Sequence, residues 1–441
     1  MSNFVLENFL TRKDMNENRI KHVSITKLWG IKNISTQFYD HVNIFIGANG
    51  SSKTTFLNLI EAVLLCDIST FTNIEFESIE ITLQQENTSV KVIKINTEDI
   101  PTIKYVFNDA LEYEIPCTEM PFRSYRYPSR YREAYSAISE ELSRLVNISW
   151  LSINRDNTSS IDFERGREYM ERIRNTVDLK LQDLIKKLIV YQLQLESEAN
   201  KSANKFKEEV LSLMLYNESV DVFKNENLQH ITSTDTNSMK KDLFSAFKAL
   251  GVARDKSEQI QCHISKIKEV ISNISTNHTT SIDDVFVLSL INRTISIIEI
   301  SKAHEDQTRK IFAPMEKFWK CLSNFMPNKT FELNKDNDGN ISISLKEGID
   351  RNNPISITSL SSGEKQLFIL LTEALLQKSI THIFIADEPE LSLHIEWQRK
   401  ILSAVLELNP NAQIIVATHS PEVAGNFSGN IVNMKSITSY V

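Results

Sequence analysis

The sequence predicts an α/β fold: a parallel sheet flanked by helices, with an antiparallel β-lobe and a helical arm inserted into it. Three observations predict this. A short β-rich run, His41–Ile46, passes through a glycine-bearing loop into a helical run, Thr54–Cys66. Near the C-terminus helices and strands alternate (Leu367–Lys378, His382–Ala386, Glu396–Leu406, Gln413–Ala417), which is the pattern of a parallel sheet. Between them, from about 162 to 326, the chain is helix-rich and its only glycines are Gly166 and Gly251. The α/β segments, about 20–70 and 355–435, are each incomplete alone and are expected to build one sheet. The expected division is 20–160 for the N-terminal half of this head with its β-lobe, 161–326 for the arm, and 327–441 for the C-terminal half.

Each element has a local cause. Val23–Leu28 alternates apolar and polar residues, as a half-buried strand does, and a second strand follows the turn near Gly30–Asn33. The segment 74–114 holds three more alternating runs and reads as an antiparallel lobe, with a further strand at Ile148–Ile153. In the arm, Val177, Leu181, Leu184, Leu188, Tyr191 and Leu195 step by threes and fours, as do Ile260, Ile264, Ile267, Ile271 and Ile274. Such seams bury against a partner helix. The first meets Glu198, Ser202 and Lys205, so short antiparallel helices are expected rather than a long rod. Asn217–Asn237 is polar and reads as the loop at the arm's tip. Ile282–Phe312 is a further helical run that Pro314 should kink or end. Asp336-Asn337-Asp338-Gly339 marks a hairpin between Lys329–Asn334 and Asn340–Leu345.

Composition bounds the function. Of 441 residues 41% are hydrophobic and 24% charged, which suits a globular chain with a sizeable core. The net charge of −8 excludes a wholly basic nucleic-acid binder, so any such contact needs a local patch. Cys66, Cys117, Cys262 and Cys321 form no CxxC pair and read as free, buried thiols in a reducing compartment. Neither a leader-like apolar segment nor a run long enough to span a membrane stands out, so a cytoplasmic protein is expected.

Four motifs carry chemistry. Gly47-Ala48-Asn49-Gly50-Ser51-Ser52-Lys53-Thr54-Thr55 sits between a strand and a helix, the context a P-loop requires. Gly47 and Gly50 let the loop aim its N–H groups inward. Lys53 is expected to neutralise β- and γ-phosphates, and the Thr54 hydroxyl to ligate Mg²⁺. Glycine is expected where Ser52 stands, and the extra Cβ predicts weakened nucleotide binding or hydrolysis. Ile383–Glu388 is an apolar strand ending in two carboxylates. Asp387 is expected to hold Mg²⁺ and Glu388 to take a proton from the attacking water. His419 follows the next strand and is a candidate γ-phosphate contact. Leu360-Ser361-Ser362-Gly363-Glu364-Lys365-Gln366 offers a second phosphate site at a helix start, best explained as meeting the nucleotide of another subunit.

With these residues the chain resembles the ABC-type ATPase heads of the RecF/SMC/OLD group. Walker A is Gly47–Thr54, the signature Leu360–Gln366, Walker B Ile383–Glu388, the D-loop about Glu390–His394, and the switch histidine His419. The runs Asp387–His394 and Ala417–Pro421 look particularly OLD-like. The resemblance covers about 20–70 and 325–435, and the middle only by architecture. It implies a P-loop ABC-type ATPase head that binds ATP with Mg²⁺, and a head-to-head dimer in which Ser361 and Gly363 act in trans. No Q-loop glutamine stands out among Gln84, Gln85 and Asn154. In this sequence residues 420–441 follow His419, so the TOPRIM nuclease domain of OLD nucleases is not expected. Standalone ATPases of this kind resemble the ATPase subunits of bacterial antiphage systems such as PARIS and Septu, in which the ATPase controls an effector.

Three functions follow as expectations: an ATP-driven switch controlling a partner effector, such as a nuclease encoded nearby; a RecF-like ATPase acting on DNA; and an ATP-bound scaffold with little turnover. The interleaved arginines and tyrosines of Phe122–Arg132 suit intramolecular packing, a protein partner or nucleic acid.

Overall fold

The computed structural model describes residues 18–85, 88–95, 101–117, 129–151, 169–216, 235–252, 256–277, 282–333, 341–345 and 355–441. They form two compact units, Met1–Ile189 with Lys317–Val441, and Val190–Glu316.

The first unit carries the strands. They are β1 (Ile20–Leu28), β2 (Lys32–Gln37), β3 (Val42–Ile46), β4 (Ser78–Leu83), β5 (Ser89–Ile95), β6 (Thr102–Phe107), β7 (Leu111–Pro116) and β8 (Ile148–Leu151), then β9 (Lys329–Leu333), β10 (Ile341–Leu345), β11 (Ile355–Ser356), β12 (His382–Asp387), β13 (Ala412–Ala417), β14 (Ile431–Asn433) and β15 (Thr438–Tyr440). A seven-stranded sheet runs in the order β15-β2-β1-β4-β5-β6-β7. All its pairings are antiparallel, and β4 buries every second residue as its alternation requires. A five-stranded sheet runs β14-β3-β13-β12-β8, parallel throughout. Its central strand β13 is buried at every position, as a strand covered on both faces must be. A small sheet, β11-β10-β9, contains the expected hairpin, whose turn lies outside the described residues.

The expected single sheet needs correction. Of the N-terminal segment only β3 joins the parallel sheet. β1 and β2 belong to the antiparallel one, and β8 completes the parallel edge. Alternation marks β1 as half-buried but says nothing about which sheet it enters. The helix Lys53–Leu65 lies in the core shared by the two sheets. Phe56, Leu57, Leu59, Ile60 and Val63 are buried with Val23 and Ile25 of β1 and with Ile383, Ile385 and Ile415 of the parallel sheet.

In the second unit, Met239 and Leu243 of helix Thr236–Ala249, Ile260, Ile264 and Ile267 of Ser257–Asn277, and Leu288, Ile291 and Ile298 of the following helix form a core of their own. Two helices run far beyond expectation. Tyr169–Ser212 and Ile282–Phe325 are each 44 residues long, and the division between the units falls inside both. The first does not stop where its seam turns polar. Ser202 is buried and hydrogen-bonds His304 Nδ1 at 2.9 Å, and Phe206 stacks on the same imidazole at 4.9 Å. The second helix continues through Pro314. Buried Met315, Phe318, Cys321 and Leu322 hold the next turns and outweigh the lost backbone bond. Residues 217–234 of the expected tip loop lie outside the described residues, and Asp235 caps the next helix.

Cys66, Cys117 and Cys321 are buried free thiols as expected, but Cys262 is exposed. No helix among the described residues is long and apolar enough to cross a membrane.

One buried side chain ties the two sheets together. Gln413, at the start of β13, accepts from the Ile20 N–H of β1 at 2.8 Å and donates to the Ile20 carbonyl at 2.8 Å and the Tyr39 carbonyl at 3.0 Å. Gln413→Leu takes these partners from buried backbone groups. A loss of about 2 kcal/mol or more is expected as a lower urea midpoint, because each stranded buried group costs about 1–3 kcal/mol.

Candidate functional site

The topology brings three loops to one edge. β3, β13 and β12 are adjacent and parallel, with Phe45 level with Ala417 and Ala417 level with Asp387. The loops that leave their carboxyl ends therefore start side by side, the usual ligand position of such sheets. These loops contain Gly47–Thr55, Glu388–His394 and Thr418–Ser420.

The first loop turns at Gly50 (φ +78°), with the Ser51 N–H donating to the Ala48 carbonyl. Ala48, Asn49 and Gly50 are exposed. Ser52 occupies the left-handed region (φ 69°, ψ 22°) and precedes the helix without capping it through its side chain. That backbone explains why glycine is expected at this position: a Cβ there is strained. The serine is tolerated, with Lys32 Nζ 3.2 Å from its hydroxyl. The helix thus opens with N–H groups that no side chain caps. Ser51 Oγ is buried without a partner. Both features fit a phosphate. Lys53 is buried and donates to the Gly47 carbonyl at 2.8 Å. Burial pulls its ammonium below the ordinary value, while the Glu388, Asp387 and Glu390 carboxylates oppose that pull. Thr54 is exposed at the helix start, and Thr55 is half-buried.

Asp387 ends β12 and Glu388 follows it, both half-buried. The Glu388 N–H still bonds the Ala417 carbonyl at 2.8 Å, and its backbone then turns left-handed (φ +48°). His419 Nε2 stands 3.8 Å from Glu388 Oε1. Lys53, Asp387, Glu388 and His419 are thus brought together at one end of the parallel sheet. Hydroxyl and carboxylate oxygens at Thr54 and Asp387 are the hard donors Mg²⁺ takes. Among the described residues no group of three or more His, Cys, Asp or Glu converges on a metal position.

The signature segment opens a helix of its own, Ser362–Leu376. The helix starts at Ser362, five residues earlier than expected, because Ser361 caps it. Its hydroxyl accepts from the Glu364 N–H while the Glu364 carboxylate accepts from the Ser361 N–H. Burial alone would raise the Glu364 carboxyl, but Lys329 and Ser361 outweigh it and hold it below the usual carboxylate range. Gly363 is buried against the backbone of the segment after β12. A Cβ there would lie 2.2 Å from the Ser392 carbonyl oxygen, so only glycine fits. Gln366 donates to the Pro389 carbonyl at 2.7 Å. The Ser361 side chain and N–H are thus engaged by Glu364, and its carbonyl accepts from the Lys365 N–H at 2.9 Å.

Of the arginine–tyrosine cluster, 122–128 lies outside the described residues. Ser129–Leu145 is a helix on which the Arg130 guanidinium sits 4.5 Å from the Tyr131 ring centre. Sequence reasoning missed Lys32, which no motif marks, and Glu390, which it placed only within a loop.

Residues 19–424 match the AAA ATPase domain family. The Retron Ec83 probable ATPase of Escherichia coli is 33% identical over a stretch covering 17% of this chain and 16% of its own length. The Retron Vc95 probable ATPase of Vibrio cholerae serotype O1 biovar El Tor is 36% identical over 17% of each chain. The match therefore spans less than a fifth of these relatives. Among solved structures, the Smc head domain with an extended coiled coil bound to the C-terminal domain of ScpA, from Pyrococcus furiosus, is 15% identical over 96% of each chain at a TM-score of 0.42. The Smc head domain with a coiled coil and joint from Pyrococcus yayanosii is 13% identical over 96% of this chain and 97% of its own, at a TM-score of 0.40.

Ser52→Gly is expected to relieve the left-handed strain. Stability in urea should rise by about 1 kcal/mol, the size of a non-glycine residue's penalty there, and ATP affinity should not fall.

Proposed function

The chain belongs to the AAA ATPase domain family, and on that premise we propose that it is an ATP-driven switch: its head binds and hydrolyses ATP and thereby controls a separate effector, a nuclease encoded nearby, in antiphage defence. The observation that carries the ATPase reading is the convergence of Lys53, Asp387, Glu388 and His419 at the carboxyl ends of three adjacent parallel strands. The names of the two retron relatives and the resemblance to antiphage ATPase subunits support the role.

Each residue has a part in this reading. Gly47, Asn49, Gly50, Ser51, Ser52 and Thr55 shape the loop around the phosphates, and the uncapped helix start attracts them. Lys53 exchanges the Gly47 carbonyl for the β- and γ-phosphate oxygens. Thr54 and Asp387 would hold Mg²⁺, which would supply positive charge against the phosphates. Glu388 accepts a proton from the water that attacks the γ-phosphorus as ADP leaves. His419 contacts the γ-phosphate from the neighbouring loop. Ser361 and Gly363 serve the nucleotide of a second copy in a head-to-head dimer. The support is the resemblance of Leu360–Gln366 to a signature motif and its place at a helix start.

The strained Ser52 favours a second reading, an ATP-bound scaffold with little turnover.

Mg²⁺-ATP hydrolysis by wild type and Glu388→Gln, with and without duplex DNA, tests these readings. Turnover that falls by at least about a hundredfold in the variant, with ATP binding kept and no response to DNA, is expected. Strong DNA stimulation would move the function to a RecF-like role. Tight binding with no turnover in wild type would leave the scaffold.

A further inference from the structure

Glu390 lies two residues beyond Glu388 and is 8% exposed. One oxygen of its carboxylate, Oε1, receives three donors from the loop after β13: the Thr418 hydroxyl, the His419 N–H at 3.2 Å and the Ser420 N–H at 3.3 Å. Thr418 is itself buried. The other oxygen, Oε2, is buried without a partner. The carboxylate is therefore committed to this one loop.

The loop is held from a second side. The Ser420 hydroxyl donates to Gln398 Oε1 at 2.7 Å. Gln398 Nε2 in turn donates to the Leu393 carbonyl at 3.0 Å, at the end of the turn that begins with Glu390. The ladder between β12 and β13 reaches as far as the Glu388 N–H and the Ala417 carbonyl. Beyond that point the Glu390 carboxylate takes over as the link between the two loops. His419, whose backbone is so fixed, has an exposed imidazole 3.8 Å from Glu388. A free loop would let that ring wander. Three bonds converging on one charged acceptor restrain it, and bonds to charged acceptors are the strong ones.

We propose that Glu390 is a positioning residue: by holding the backbone of Thr418–Ser420, it sets where His419 stands relative to Glu388. The proposal rests on the ATPase reading of those two residues and adds a residue that acts only through another.

The test combines kinetics with hydrogen exchange on the full chain. Wild type, Glu390→Ala, Glu390→Gln, His419→Ala and the Glu390→Ala/His419→Ala double variant are compared in Mg²⁺-ATP turnover. Amide exchange of the peptide spanning 418–420 is measured without nucleotide. Glu390→Ala is expected to lower kcat about tenfold or more with KM within about twofold, while Glu390→Gln, which keeps the acceptor, falls in between. The double variant should be no slower than His419→Ala alone, because coupled residues are non-additive. The 418–420 amides should exchange faster in Glu390→Ala. Thr418→Val, which removes one donor at constant shape, should show the same changes more weakly and serves if Glu390→Ala does not fold. Multiplying losses in the double variant, or unchanged exchange in Glu390→Ala, would overturn the proposal. Absent turnover in wild type would overturn the ATPase reading instead, and the exchange rates would still judge the Glu390 contact.

Discussion

The register of three parallel strands is the constraint on which the rest depends. Phe45, Ala417 and Asp387 stand level on β3, β13 and β12. A slip of one residue between β12 and its neighbours would move Glu388 relative to the glycine loop. That register is anchored at the opposite end by Gln413, which binds the start of β13 to β1 and to the turn before β3. The antiparallel sheet thus acts as more than a lobe, because it holds the strand on which the site is hung.

What the sequence made legible was local in cause. The glycine loop, the acidic strand end, the histidine after β13 and the signature helix are each set by a few consecutive residues, and the structure places Lys53, Asp387, Glu388 and His419 together. Long-range choices were not legible. Nothing in the alternation of β1 says that it turns away from the parallel sheet. Nothing in Pro389–Leu393 says that Glu390 faces a loop 28 residues further on. The sequence predicts short arm helices because Glu198, Ser202 and Lys205 interrupt the apolar seam, yet Ser202 is matched by His304, 102 residues away. A polar residue ends a hydrophobic pattern whether or not a distant partner satisfies it, so periodicity alone underestimates such helices.

Ser52 shows a related limit. The motif predicts trouble from a crowding Cβ, whereas the structure shows the difficulty to lie in the backbone, at φ 69°. A left-handed serine in the proposed phosphate loop raises the energy of that loop without removing any donor. Such strain persists where the surroundings over-determine it. Here a buried helix on one side and β3 on the other leave the loop little choice.

The signature helix and the switch loop share one intermediary. Gly363 packs on the Ser392 carbonyl, and Gln366 binds the Pro389 carbonyl. Between those two contacts, Glu390 binds the loop of His419. A displacement of the signature helix therefore cannot leave the segment after β12 untouched, since Gly363 has no room for even a methyl group against it. In a dimer of the proposed kind that helix would touch the nucleotide of the other copy. The same five residues that follow Glu388 would then connect what one nucleotide does to its signature helix with the placement of the histidine at the other. Tight backbone packing transmits such shifts as discrete rearrangements rather than by gradual yielding, which is the behaviour a switch requires.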